Sequence, residues 1–388
     1  MLDHKRLPPE LWIEIFHWVA FDHALNSSGH PFQRTLCDTR QSRQLRATLS
    51  VVCREWHHLA SDVLYKDLVV NHGSPALLRV LKNSQTNICD RVRSITLPYS
   101  STATAPYLNS ESSAIHILKL CKGVQTLVRP RPDTQNYKYT FESDALVVPL
   151  PSLQRLDWWY SSEAERSGGI NSLDTVLRNA PNIQYLFIGG FVGTGYGTFS
   201  RTEVTLPFLH TLRFHMINGF LLRQVLTCWN LPSLSRIIVD TPLLDGGVSQ
   251  VLEKFGHQLR SVELGRHIRF FLFDYLSMIL RDCPSLENID FYLFFTMPPK
   301  MPPGLQYPSV TTIGLNTSLN PFLESTKGES WELLGKHFNV FSGSLFPNLK
   351  RVLLYGDWSE YLTTPQFTGM ETKLLARGCS VENASIPM

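Results

Sequence analysis

Leu150-Pro151-Ser152-Leu153-Gln154-Arg155-Leu156-Asp157-Trp158 is one spelling of a phrase that recurs through this chain of 388 residues. It returns at Leu206-Pro207-Phe208-Leu209, Leu231-Pro232-Ser233-Leu234, Cys283-Pro284-Ser285-Leu286 and Phe346-Pro347-Asn348-Leu349. Each copy opens the pattern apolar-x-x-apolar-x-apolar. The first apolar positions are Val92, Val124, Leu153, Ile183, Leu209, Leu234, Leu259, Leu286, Val310 and Leu349, and successive copies lie 24 to 39 residues apart. Self-similarity at such a period marks a repeat protein. One position breaks the pattern, Arg129 in the second copy, and proline stands two residues before the first apolar position in seven of the ten copies.

Apolar residues two apart, such as Leu212 and Phe214 or Ile289 and Phe291, share one face of a short strand and predict that this face is buried. Between the phrases the spacing turns helical, as in Leu221, Leu222, Val225 and Leu226 or Val248, Val251, Leu252 and Phe255. Proline cannot continue a helix and biases the residue before it toward extended backbone, so helix gives way to strand at a fixed point in each copy. One strand and one helix per repeat predict an α/β solenoid, with a parallel sheet inside its curve and helices outside.

These phrases resemble leucine-rich repeats over about residues 75 to 354. The resemblance implies an irregular leucine-rich-repeat-like solenoid of about ten copies across residues 71–388. The family's usual Asn or Cys eight residues after the first Leu is absent; Ser161, Phe191, Pro242 and Asp357 stand there. The ladder that this Asn builds between turns must therefore be missing or replaced.

Ahead of the repeats, Leu11, Trp12, Ile15, Phe16 and Val19 recur at helical spacing, with Pro8 and Pro9 acceptable in a first turn. Leu49, Val52, Trp56, Leu59, Ala60, Val63 and Leu64 continue the helical pattern, with a break expected near Cys53. A block this short buries little apolar area alone and is expected to dock on something. Its words Leu7-Pro8-x-Glu10-Leu11-x-x-x-Ile15-Phe16 and Val52-Cys53-Arg54-x-Trp56-x-x-Leu59-Ala60-x-x-x-Leu64-Tyr65 resemble an F-box, at the N-terminal position of the fungal type. That resemblance implies a domain over residues 1–70 that binds the Skp adaptor of an SCF (Skp, cullin, F-box) ubiquitin ligase. Leu7, Pro8, Leu11, Ile15, Phe16, Val52 and Trp56 match positions that contact or support the adaptor surface. It also implies that the repeats hold a target protein for ubiquitin conjugation. The two words stand further apart than in a compact F-box; the insertion, near residues 22–46, predicts a surface loop. The plainer alternative is a repeat interaction module without ligase association, whose N-terminal helices only cap the array.

Hydrophobic residues make up 43% and charged residues 18%, which excludes wholesale disorder. A formal net charge of +3 makes neither nucleic acid nor an anionic membrane the expected partner. The first residues lack a signal peptide's apolar core and no apolar run reaches a membrane-spanning length, so a cytoplasmic or nuclear protein is expected. Seven cysteines without a CxxC pair fit reduced thiols. No catalytic motif is found, and the expectation is a non-enzymatic protein without cofactor or metal. Gly189 to Gly197 has the wrong glycine spacing for a phosphate loop and reads as a flexible connection. His17, His23, His30 and Cys37 have no zinc-knuckle spacing.

Strand residues between the buried pair point the other way. Arg155, Asp157, Trp159, Tyr185, Phe187 and Arg213 are thereby predicted on the concave face, as the target-binding surface, because arginine and aromatic residues dominate protein interfaces. The competing reading is that Trp159, Tyr185 and Phe187 pack under a long loop.

Overall fold

The computed structural model of the chain describes residues 7–19, 31–32, 40–70, 74–83, 88–97, 100–101, 113–131, 139–140, 147–190, 202–243, 246–323 and 327–384. These divide into two compact units. The first takes residues 7–189, apart from Pro31 and Phe32, together with residues 202–208; the second takes Pro31, Phe32, Gly190 and residues 209–384.

Twelve parallel strands with flanking helices carry the described fold. Five belong to the first unit: β1 (Asp67–Val69), β2 (Ser94–Thr96), β3 (Thr126–Arg129), β4 (Arg155–Trp159) and β5 (Tyr185–Gly189). Each pairs in parallel with the next. Seven belong to the second unit: β6 (Thr211–His215), β7 (Arg236–Val239), β8 (Ser261–Leu264), β9 (Asn288–Tyr292), β10 (Thr312–Asn316), β11 (Arg351–Tyr355) and β12 (Ser380–Asn383). They too pair in chain order. The ten copies of the phrase supply β2 to β11, and their pattern positions, Arg129 included, are no more than 5% exposed. Arg129 is accommodated because its Nη2 donates to Asn171 Oδ1 at 2.7 Å and to the Ile170 carbonyl at 3.1 Å, while its guanidinium lies over the Trp158 ring.

The recurrent proline has a geometric cause. The N–H of Leu153 donates to the Leu150 carbonyl, Leu234 to Leu231, Leu286 to Cys283, Val310 to Tyr307 and Leu349 to Phe346, at 3.2 to 3.3 Å. Each is a β-turn closed three residues on, and proline sits at its second position, where a fixed φ near −65° is already correct. The polar residue after proline explains the missing Asn ladder. Asn182 Nδ2 donates to the Pro151 carbonyl at 2.7 Å, Ser309 Oγ to that of Pro284 at 3.1 Å and Asn348 Nδ2 to that of Pro308 at 2.9 Å. A turn-to-turn ladder therefore exists, moved to the strand entrance.

Helices between strands take side-chain caps, with Ser172, Asn218, Asp274 and Thr364 each accepting from the backbone N–H three residues on. Ahead of β1 stand α1 (Pro9–Val19), α2 (Arg40–Val51) and α3 (Arg54–Leu64), with the break at Val52–Cys53. This corrects the loop expected across 22–46, because residues 40–46 open α2. Arg, Gln, Leu and Ala are strong helix formers, and no Gly or Pro interrupts Arg40 to Val51. Pro31 and Phe32 are likewise no free surface loop, since Phe32 is buried. The remainder of the insertion lies outside the described residues. No described helix is long and apolar enough to cross a membrane.

Candidate functional site

The N-terminal helices are built around three rings. Trp12 and Phe16 of α1 meet Trp56 of α3, each at 4.9 Å between centroids, and Phe16 packs with Ala60 and Val63. That cluster settles which α1 residues turn outward. Leu11 and Ile15, four residues apart on α1, share one face and are 46% and 37% exposed, Leu7 ahead of the helix is 40% exposed, and Val52 at the α2–α3 break is 56% exposed. Pro8 is exposed and Trp56 half-buried. Phe16, 1% exposed, supports this surface from beneath and does not face a partner. At the break, the Trp56 N–H donates to Cys53 Sγ at 3.4 Å, so the thiol takes the place of a capping oxygen. His17, His23, His30 and Cys37 lie outside the described side chains.

The patch expected on the opposite strand face is assembled but closed. Asp157 and Phe187 are register partners, as are Arg155 and Tyr185, so neighbouring strands bring these side chains together. Arg155 is locked to Asp157 by two bonds of 3.0 and 3.1 Å, and its guanidinium stacks over the Tyr185 ring at 4.3 Å. Trp159 and Phe187 meet edge to face at 5.7 Å, Arg131 lies over Trp159, and Trp159, Tyr185 and Phe187 form one buried cluster. The strand face was predicted correctly, whereas exposure was not: these five residues are buried, and so is Arg213 in the second unit. The Gly-rich connection after Gly190 lies outside the described residues. Along the entrances of β1 to β5 runs a polar groove of about 210 Å³, lined by Lys66, Arg93, Gln125, Gln154 and Gln184 among others.

In the second unit the same face carries a row of cross-strand ion pairs. Arg213 holds Asp240 through two bonds of 2.7 Å, and Arg236 Nη2 donates to Glu263 Oε2 at 2.7 Å. His215 Nδ1 stands 3.8 Å from Asp240. Asp290, buried beside Glu263, has its pKa pushed up to about 7 by desolvation first and by that neighbouring carboxylate second. Tyr292 and Tyr355 close the row, their hydroxyls pushed up to about 12, chiefly by burial.

Onto these tyrosines comes Phe32, which no sequence pattern places here. Its ring stands edge-on to Tyr292 at 5.0 Å and to Tyr355 at 5.1 Å, and its N–H donates to Glu263 Oε1 at 3.0 Å. Among the described residues no cluster of His, Cys, Asp and Glu is arranged to hold a metal ion.

No protein-family model matches the chain, and no curated protein matches it in sequence. Among solved structures, the crystal structure of a Bacteroides fragilis protein is similar over 83% of this chain and 76% of its own, at 12% identity and a TM-score of 0.38. A likeness at that level carries no argument.

Proposed function

We propose that the chain is the substrate-recruiting F-box subunit of an SCF-type ubiquitin ligase, acting in the cytoplasm or nucleus. The N-terminal helices bind the Skp adaptor, and a curved leucine-rich-repeat-like solenoid binds a target protein. The observation that carries the reading is the exposure of Leu7, Leu11, Ile15 and Val52 on a helical block whose rings Trp12, Phe16 and Trp56 pack on one another. Leu45 and Val51 of the same short block are exposed as well, and so much exposed aliphatic surface on a small helical block points to a protein partner. The F-box resemblance of the two words that supply Leu7, Leu11, Ile15 and Val52 names the partner.

The mechanism is proximity. A target held on the repeats stays at high effective concentration near the transferring enzyme, which asks for a rigid spacer and no catalytic residue, metal or cofactor. Nucleic acid and membrane have no part in it. The test is co-expression of the full chain with a Skp adaptor, followed by size-exclusion chromatography. The reading expects co-elution at equal stoichiometry; separate elution of two folded proteins overturns it.

A further inference from the structure

Phe32 lies 231 residues away in sequence from Glu263, the residue that accepts its N–H. It is 6% exposed although it comes from outside the repeats. Tyr292 and Tyr355 stand at one register on alternate strands, with Asn316 between them. Two interstrand spacings, about 10 Å, separate such positions, and a ring near 5 Å from each tyrosine spans that gap. Gly314, two residues before Asn316 on the middle strand, makes room for the Asp290 carboxyl, with which a Cβ there would collide, and for Tyr355 Cε2, which it would crowd at 3.2 Å. Tyr292 and Tyr355 therefore bracket a socket the size of one aromatic ring, with the Glu263 carboxylate beside it.

Phe32 also holds φ at +61°, the left-handed region that a bulky L-residue rarely adopts. A residue strained in this way persists where its surroundings over-determine it. Among the described residues, its surroundings read two features of it, the ring and one main-chain N–H. Another protein offering phenylalanine on a tight turn presents the same two features. We infer that Glu263, Tyr292 and Tyr355 form a recognition socket for a turn-borne phenylalanine of a partner protein, and that Phe32 fills it in cis as a built-in competitor. Tethering places the cis residue at an effective concentration in the millimolar range. A partner must therefore outbind Phe32 before it is held. This inference goes beyond the ligase reading and stands without it, because nothing in the socket involves the adaptor-facing side chains.

The probe is a fluorescein-labelled peptide of residues 28–36, Ser-Gly-His-Pro-Phe-Gln-Arg-Thr-Leu, titrated with the full chain and read by fluorescence anisotropy. The Phe32→Ala chain is expected to bind it at least about tenfold more tightly than the unaltered chain, whose socket is filled. Adding Tyr355→Ala to Phe32→Ala is expected to remove that gain, as is replacing Phe by Ala in the peptide. Equal affinity of the two chains, or undiminished binding of the alanine peptide, overturns the inference and leaves Phe32 as an internal latch. Should Phe32→Ala fail to fold, Phe32→Leu keeps an apolar group in the socket without the edge-on ring contacts. It is expected to bind at least about threefold more tightly than the unaltered chain, and no gain there overturns the inference equally. The assay contains no adaptor, so its failure is distinguishable from failure of the ligase reading.

Discussion

Truncating Leu11 and Ile15 to alanine separates contact with an adaptor from stability of the helices. Full burial of a leucine or isoleucine side chain is worth about 1.5–3 kcal/mol. Leu11 is 46% and Ile15 37% exposed, so part of that is already absent from the folded chain and each truncation should cost roughly 1 kcal/mol of stability. An aliphatic anchor buried at an interface loses about 2 kcal/mol when truncated, and two together weaken binding on the order of 10³-fold. Phe16→Ala is the contrasting variant. Its ring is 1% exposed and sits against Trp12 and Trp56 at 5.8 and 4.9 Å, so its loss should cost about 3–5 kcal/mol and loosen the helices themselves. Biolayer interferometry against the Skp adaptor measures the contact, and hydrogen exchange over residues 9–19 and 54–64 measures the helices. Leu11→Ala with Ile15→Ala should lose the adaptor with exchange nearly unchanged, whereas Phe16→Ala should lose protection first. Undiminished adaptor binding by the double variant, with its helices intact, refutes the reasoning.

Three other outcomes follow from buried groups. His337 donates from Nε2 to the Thr296 carbonyl at 2.9 Å, and burial lowers its pKa from 6.5 to about 4. The unfolded chain takes up that proton first, so stability is whole above pH 6.5 and falls between 6.5 and 4 by about 3 kcal/mol. Urea titrations across that window should show the loss, and His337→Gln should flatten it; parallel profiles would sink the assignment. Arg129→Met strands the acceptors on Ile170 and Asn171 and should cost about 2–4 kcal/mol in urea unfolding, with a loss below about 1 kcal/mol counting against the buried role. Phe187→Ala should lower stability by about 3–5 kcal/mol, comparable to Leu156→Ala at about 2–5 kcal/mol, because both side chains are fully buried; a melting temperature unmoved by Phe187→Ala would restore the open patch.

The strands were legible from the recurring period of two, which a proline turn reinforced in seven of the ten copies. At β1 the phrase is absent, for Asp67-Leu68-Val69 is three residues with one buried side chain, too short to establish a period. At β12, Ser380 to Asn383 has no fully buried side chain, and an edge strand covered on one side alone has little need of the apolar pattern. The start of α2 was missed for a different reason. Arg40 to Arg46 carries one apolar residue, Leu45, so its helical tendency lies in propensity and not in amphipathic spacing. Leu11, Ile15 and Phe16 stand together in the words that resemble an F-box; that Phe16 turns inward follows from rings that meet only once α1 and α3 pack.

Alternation tells which face of a strand a side chain takes, and nothing in it tells whether that face stays open. Arg155 finds Asp157 two residues along its own strand, a pairing visible in sequence, whereas Arg213 and Arg236 each find their carboxylate 27 residues on, one repeat away. Such pairs need only the register, Arg213 against Ile238 and Arg236 against Ser261, to bring them together. Once formed they consume the mixed charge that the sequence placed on this face. An ion pair buried at a few per cent exposure is held by its own partner and offers a ligand little net field. What the proposed socket offers for recognition is shape, namely the gap between Tyr292 and Tyr355 that Phe32 fills. No local pattern around Phe32 indicates that socket, because its walls come from strands β9 and β11, on either side of β10, and they meet only in the folded sheet.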